Sequence, residues 1–205
     1  MLKNIIFDVG GVLLDYRWKE MLRDYGLSEE EALYLGGQLF EDPLWAKLDL
    51  ANVPDEEIVR EFQHKVPKYK DVIEWFITHG EFMHVARPQV WERVHRLKEM
   101  GYHLYLLSNY SENLFTKHTK DASFMEDIDG KVVSYMIHQT KPSKEIYAYL
   151  LNKYELNPKE SIFFDDRREN TEAAEKMGIK SYTVTSEKYL LEQLDEILSG
   201  KESQC

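Results

Sequence analysis

Apolar residues follow two different rhythms along the chain, and the changes between them mark out its elements. Ile5, Ile6 and Phe7 are consecutive, as in a strand buried on both faces, and the run stops at Asp8 with Gly10 and Gly11 close behind. After Asp15 the period turns helical: Trp18, Met21, Leu22 and Tyr25 recur at i, i+3, i+4 and i+7 ahead of Gly26, which predicts a first helix. Ser28 and Glu31 form a capping box for a second helix, expected to end near Gly36 and Gly37. Asp42-Pro43 begins a third with Leu44, Trp45 and Leu48, a fourth spans Asp55 to Val66, and a fifth spans Lys68 to His79. Between Tyr16 and Val85 there is no strand signal.

From Arg87 strands and helices alternate. Pro88 to Met100 is helical through Val90, Trp91, Val94 and Leu97, and Tyr102 to Leu107 is a strand. After an irregular stretch, Lys131 to Ile137 is a strand and Lys141-Pro142 opens a helix through Ile146, Tyr147, Leu150 and Tyr154. Ser161 to Asp165, Glu169 to Met177, Lys180 to Val184 and Ser186 to Leu198 follow as strand, helix, strand and helix. Alternation of this kind implies right-handed crossovers between parallel strands. The expected fold class is therefore α/β, a Rossmann-like parallel sheet with helices on both faces and a helical lobe inserted after the first strand.

Composition adds limits. Of 205 residues, 43% are hydrophobic and 31% charged, which suits an ordinary globular core and neither a disordered nor a membrane class. The 37 acidic residues against 26 basic ones give a formal net charge of -11, a balance that repels nucleic-acid backbones and anionic membranes. Anionic small molecules stay compatible, because a metal and a few cations reverse the potential inside one cleft. The single cysteine, Cys205, permits no intrachain disulfide. Without a signal peptide or a membrane-length apolar run, a cytoplasmic location is expected, and the glycosylation spacing of Asn109-Tyr110-Ser111 reads as coincidence.

In an open parallel sheet, ligands bind beyond the carboxyl ends of the strands. The residues there are Asp8, Ser108-Asn109 and Asp165-Asp166, with Lys141 at the start of the helix after the third strand. Each has an ordinary reading: Asp165-Asp166 as helix caps, Ser108-Asn109 as turn residues, Lys141 as a solvated side chain. Together at one rim they read as a site. Three carboxylates in one place repel unless a hard cation such as Mg²⁺ joins them, and hydroxyl, amide and ammonium donors suit a phosphoryl group.

Four segments carry a resemblance: FDVGGVLLD at Phe7 to Asp15, LLSN at Leu106 to Asn109, TKPSKEIY at Thr140 to Tyr147, and FFDDRREN at Phe163 to Asn170. In this order they resemble the four motifs of the haloacid dehalogenase (HAD)-like hydrolase superfamily. The resemblance implies a core made of residues 1–15 and 86–205 and a helical cap made of residues 16–85. It implies a Mg²⁺-dependent phosphatase that hydrolyses a small phosphorylated metabolite through an aspartyl-phosphate on Asp8. Ser108, Asn109 and Lys141 would hold the phosphate, and Mg²⁺ would sit among Asp8, the Gly10 carbonyl and Asp166, with Asp165 nearby. The inner and outer roles of the two last carboxylates are exchangeable, and Arg167 or Asn170 would support them. No oligomeric state is implied.

One position departs from the family. The usual second aspartate, a general acid and base worth about 10²–10⁴ in rate, is here Gly10. The chain resembles a branch with glycine at that place that includes phosphatases for anomeric sugar phosphates such as glucose 1-phosphate, whose leaving oxygen needs less protonation. Asp15 is either a substitute acid or an N-cap, and Gly10→Asp is expected to raise alkyl phosphate hydrolysis if a missing acid limits the rate. Tyr16, Trp18, Tyr34 and Trp45 are candidates for stacking on a substrate, although the helical spacing of Trp18 favours core packing. The alternatives are a phosphate-binding or scaffold protein with weakened catalysis, a 2-haloacid dehalogenase, for which Asp165-Asp166 are superfluous, and a phosphomutase, which needs an acid at Gly10.

Overall fold

The computed structural model describes residues 1–200; Cys205 lies outside them. Strand β1 (Asn4–Phe7) is buried along its whole length, as its unbroken apolar run requires. Two short strands, β2 (Leu14–Tyr16) and β3 (His84–Ala86), form an antiparallel ribbon apart from the main sheet. The others are β4 (His103–Ser108), β5 (Gly130–Val133), β6 (Ser161–Asp165) and β7 (Lys180–Thr183). The main sheet is parallel, in the order β5-β4-β1-β6-β7. Ile5 is level with Leu104 on one side and Ile162 on the other.

Alternate residues of the central strands feed two separate cores. Phe7, Leu104, Leu106, Ile162 and Phe164 face one side, where helix α6 (Pro88–Glu99) and the last helix, α11 (Glu187–Leu198), bring Val90, Val94, Leu97, Leu190, Leu194 and Ile197. Ile6, Tyr105, Leu107 and Phe163 face the other, against Ile146, Tyr147 and Leu150 of α9 (Lys144–Lys153) and Ala174 of α10 (Arg168–Lys176). The rings of Phe7, Phe164 and Tyr182 stack across three strands, with centroids 5.6 Å and 5.2 Å apart. Each fully buried side chain of this size contributes about 1.5–3 kcal/mol. The fold is thus the Rossmann-like α/β arrangement that the alternation implies.

Between β2 and β3 lie five helices: α1 (Trp18–Asp24), α2 (Glu29–Phe40), α3 (Pro43–Leu50), α4 (Asp55–Lys65) and α5 (Lys70–Thr78). The Ser28 and Glu31 capping box is present, and Asp42 caps α3. Several sequence expectations need correction. Helix α2 runs through Gly36 and Gly37 to Phe40, because Gly36 serves close packing: a Cβ there would press into the Trp18 ring, 2.7 Å from Cη2. The irregular stretch contains α7 (Glu112–Thr119), capped by Ser111. Strand β5 stops at Val133, and Ser134 to Ile137 form a single turn, α8 (Ser134–Ile137), anchored by Ser134 Oγ donating to the Asp49 carbonyl at 2.6 Å. Lys141 precedes α9 by three residues, since the Asn109 side chain holds its backbone N–H and C=O.

Candidate active site

The apolar strands deliver their polar ends to one place. Asp8 follows β1 directly, Ser108 closes β4 and Asp165 closes β6, so parallel register sets them side by side. Ser108 Oγ donates to Asp8 Oδ1 at 2.6 Å. Lys141 Nζ lies 3.0 Å from the same oxygen and 2.6 Å from Asp165 Oδ2, and it donates to the Leu107 carbonyl at 2.8 Å. Asn109 accepts from the Lys141 N–H at 2.8 Å and donates to its carbonyl at 2.9 Å, which fixes the segment carrying the lysine. Asp8, Ser108, Lys141 and Asp165 are all buried.

Asp165 is saturated by protein donors. Besides Lys141, its oxygens accept from the Arg167 N–H at 2.8 Å and from Asn170 Nδ2 at 3.0 and 3.1 Å. Asp166 is exposed and rests on the loop after Asp8, where Gly11 has φ +70° and a Cβ would stand 2.6 Å from Asp166 Oδ2. A side chain there would displace the carboxylate, and the left-handed backbone itself favours glycine. The guanidinium of Arg167 pairs with Glu169 at 2.6 Å; its backbone N–H holds Asp165, and its charge partly counters the rise of the Asp166 carboxyl.

Carboxylate oxygens of Asp8, Asp165 and Asp166 lie within 4.8 Å of one another. Burial, partly countered by Lys141 and reinforced by Asp165 and Asp166, raises the Asp8 carboxyl to about 7. Asp166 is exposed as a residue, but the burial of its carboxyl against the Gly11 loop, and then the charge of Asp165, raise it as well. Burial depresses the Lys141 ammonium, but Asp165 and Asp8 more than reverse this and hold it above its ordinary value. One buried cation therefore faces three carboxylates. An all-oxygen set with surplus negative charge fits a hard dication.

Gly10 is not an empty place. A Cβ built on it would collide with the hydroxyl of Tyr16 and stand 2.9 Å from the ring carbons Cε2 and Cζ. The hydroxyl of Tyr16 is 2.5 Å from that of Tyr110, Tyr110 Oη is 2.9 Å from His118 Nδ1, and His118 Nε2 is 2.7 Å from the Gly80 carbonyl. A carbonyl only accepts, so Nε2 carries the imidazole proton, Tyr110 donates to Nδ1, and Tyr16 donates to Tyr110. Burial lowers the His118 imidazole to about 4 and raises the Tyr16 hydroxyl well above its ordinary value. Gly10→Asp alone would therefore have to displace the Tyr16 side chain, which fills the space that the new side chain needs.

Asp15 is neither a cap nor near that space. It lies in β2, opposite Val85, and its carboxylate pairs with Arg87 at 3.1 Å. Arg87, buried, also donates to the carbonyls of Gly11 and Val12 at 2.7 and 3.0 Å, so it fastens the loop after Asp8 to the ribbon.

Beside the cluster is a cavity of about 530 Å³. Trp18, Phe40 and Trp45 from the five-helix segment line it opposite Asn109, Tyr110 and Leu114, with Tyr16 and Asp49 also on its wall. Trp18 both packs against Phe40, with ring centroids 5.3 Å apart, and faces the cavity. Tyr34 lines a different groove with Tyr69 and Lys68, so it is not available at this site. Burial, and then the charge of Asp8, pushes the Asp49 carboxyl up to about 7. Neither Asp49, Tyr110 nor His118 has a sequence signal; only adjacency to LLSN marks Tyr110.

A model of the haloacid dehalogenase-like hydrolase family matches residues 2–178. A D-ribitol-5-phosphate phosphatase from Bacteroides thetaiotaomicron is 21% identical over 191 residues, covering 89% of this chain and 91% of its own. A sesquiterpene phosphatase from Aspergillus oryzae is 24% identical and covers 89% and 90%. Among solved structures, a HAD family enzyme from Bacteroides thetaiotaomicron in complex with magnesium and inorganic phosphate superposes with a TM-score of 0.70 at 24% identity, covering 89% of this chain and 94% of that one.

Proposed function

The chain belongs to the haloacid dehalogenase-like hydrolase family, and from that premise we propose that it is a Mg²⁺-dependent phosphatase of small phosphorylated metabolites with Asp8 as nucleophile. The observation that carries this reading is the buried Asp8, held by Ser108 and Lys141 through one oxygen. That bonding orients the carboxylate, leaving Oδ2 as the attacking atom. Attack on phosphorus forms an aspartyl-phosphate and releases the alcohol; water then cleaves the acyl phosphate and returns Asp8.

The Ser108 hydroxyl and the Lys141 ammonium, whose donors rest on Asp8 in this structure, would turn them to the transferring phosphoryl oxygens. Asn109 spends one amide N–H on the Lys141 carbonyl and retains the other for the phosphate. Asp8, the Gly10 carbonyl and Asp166 would hold Mg²⁺; Asp165, already saturated, would orient Lys141 and shape the metal site from outside. Bound there, the ion would neutralise phosphate charge. Residues 16–85 would act as the cap, with β2 and β3 as its two connections and the cavity beneath it.

The aromatic and apolar wall formed by Trp18, Phe40, Trp45 and Leu114 supports a substrate that presents a ring face or an apolar body. Anomeric sugar phosphates such as glucose 1-phosphate belong in the first screen, beside alkyl monophosphates. Phosphate release from that panel with Mg²⁺, using Asp8→Asn as the blank, tests the reading. Release that is equal in the blank would contradict it, and binding without turnover would favour the phosphate-binding alternative.

A further inference from the structure

We propose that the hydroxyl of Tyr16 serves the leaving-group oxygen as proton donor, in the place of the aspartate that position 10 lacks. The inference rests on the phosphatase reading. It starts from a steric exclusion: Tyr16 Oη occupies the space into which a side chain on residue 10 would grow, so glycine is required at position 10 because Tyr16 is there. The hydroxyl enters this space from the ribbon, since β2 ends at Tyr16 and pairs with His84 of β3. It also stands on the wall of the cavity that Asn109 lines. A phenol and a carboxylic acid both deliver one proton from an oxygen, and the exchange retains that function at the same point.

Tyr110 and His118 are positioning residues. The His118 imidazole is fixed by the Gly80 carbonyl, Tyr110 by His118, and Tyr16 by Tyr110, so the hydroxyl is held without flexible side-chain support. When the Asp8 Oδ2–P bond forms, the bond from phosphorus to the leaving oxygen breaks and its electron pair stays on that oxygen, which takes the Tyr16 proton as the hydroxyl turns it from Tyr110. The Tyr16 phenolate accepts a hydrogen bond from Tyr110, whose hydroxyl turns from His118. In the second half, water adds to phosphorus, the pair of the Asp8 O–P bond returns to Asp8, and the water proton returns to Tyr16. The sum is phosphomonoester plus water giving alcohol plus phosphate.

The test is the dependence of kcat/KM on the leaving group, which isolates the first half-reaction. Wild type and Tyr16→Phe are compared on p-nitrophenyl phosphate, whose leaving group needs little protonation, and on a series of alkyl phosphates. The expected loss on alkyl phosphates is about 10²-fold, with the alkyl-to-aryl ratio falling by at least about tenfold. An equal loss on both series, or none on the alkyl series, would overturn the assignment. A second arm uses Tyr16→Ala, which clears the space, and the double variant Gly10→Asp/Tyr16→Ala, in which alkyl activity should recover above that of Tyr16→Ala. Recovery of aryl activity alone would also overturn it. Wild-type inactivity on both series would instead remove the phosphatase reading itself.

Discussion

At the scale of single residues, the site balances one buried cation against a surplus of carboxylates. Replacing Lys141 with Met would leave Asp8 and Asp165 facing each other without their shared partner, and losing one member of a buried pair costs about 3–5 kcal/mol. Urea denaturation in the presence of chelator should show a loss of that size, where a surface lysine would show almost none. Asp49 makes a second residue-scale prediction. Its carboxyl is raised from 3.8 to about 7, so the fold favours its protonated form; that contribution is complete below about pH 4 and is lost as pH rises through 7. Asp49→Asn stays neutral, and in metal-free protein it should gain stability relative to wild type between pH 4 and pH 7. A flat difference across that window would contradict the assignment. The main cluster was legible in the sequence because each member ends an apolar strand or starts the segment after one. Tyr16 was legible only as an aromatic residue: its hydroxyl meets Gly10 because the ribbon folds back, and no local period encodes that approach.

At the scale of elements, the parallel strands and most helices could be read from periodicity and caps, and the misses have identifiable causes. The β2 and β3 ribbon is three residues long on each side, too short for alternation to register, and its partners are separated by the whole five-helix segment. Helix α2 was expected to stop at Gly36-Gly37 because glycine usually ends helices. In the structure the two glycines differ: Gly36 is packed under Trp18, whereas Gly37 has no atom within 4 Å of an added Cβ. Gly36→Ala should therefore cost about 1–3 kcal/mol by overpacking. Gly37→Ala should stabilise by about 0.5–1 kcal/mol through helix propensity. Opposite signs in paired denaturation curves would support the continuous helix, and two stabilising results would contradict the close approach of Trp18.

At the scale of the molecule, a chain with formal net charge -11 gathers Asp8, Asp165 and Asp166 at one rim, where a dication would relieve their repulsion. Mg²⁺ at a hundredfold excess over its Kd should raise the unfolding free energy by about 2.7 kcal/mol, read as a higher Tm. Asp166→Asn should lose most of that shift without lowering the metal-free Tm, since it removes a negative charge that burial and Asp165 disfavour. Among the described residues no helix is long and apolar enough to cross a membrane. The central claim, that Asp8 carries the phosphoryl group, is tested most directly by rapid acid quench of one turnover followed by mass mapping. The account predicts a transient phosphoryl mass on the peptide containing Asp8, absent in Asp8→Asn. Phosphate release from the wild type with no such adduct, or an adduct that persists in Asp8→Asn, would contradict it.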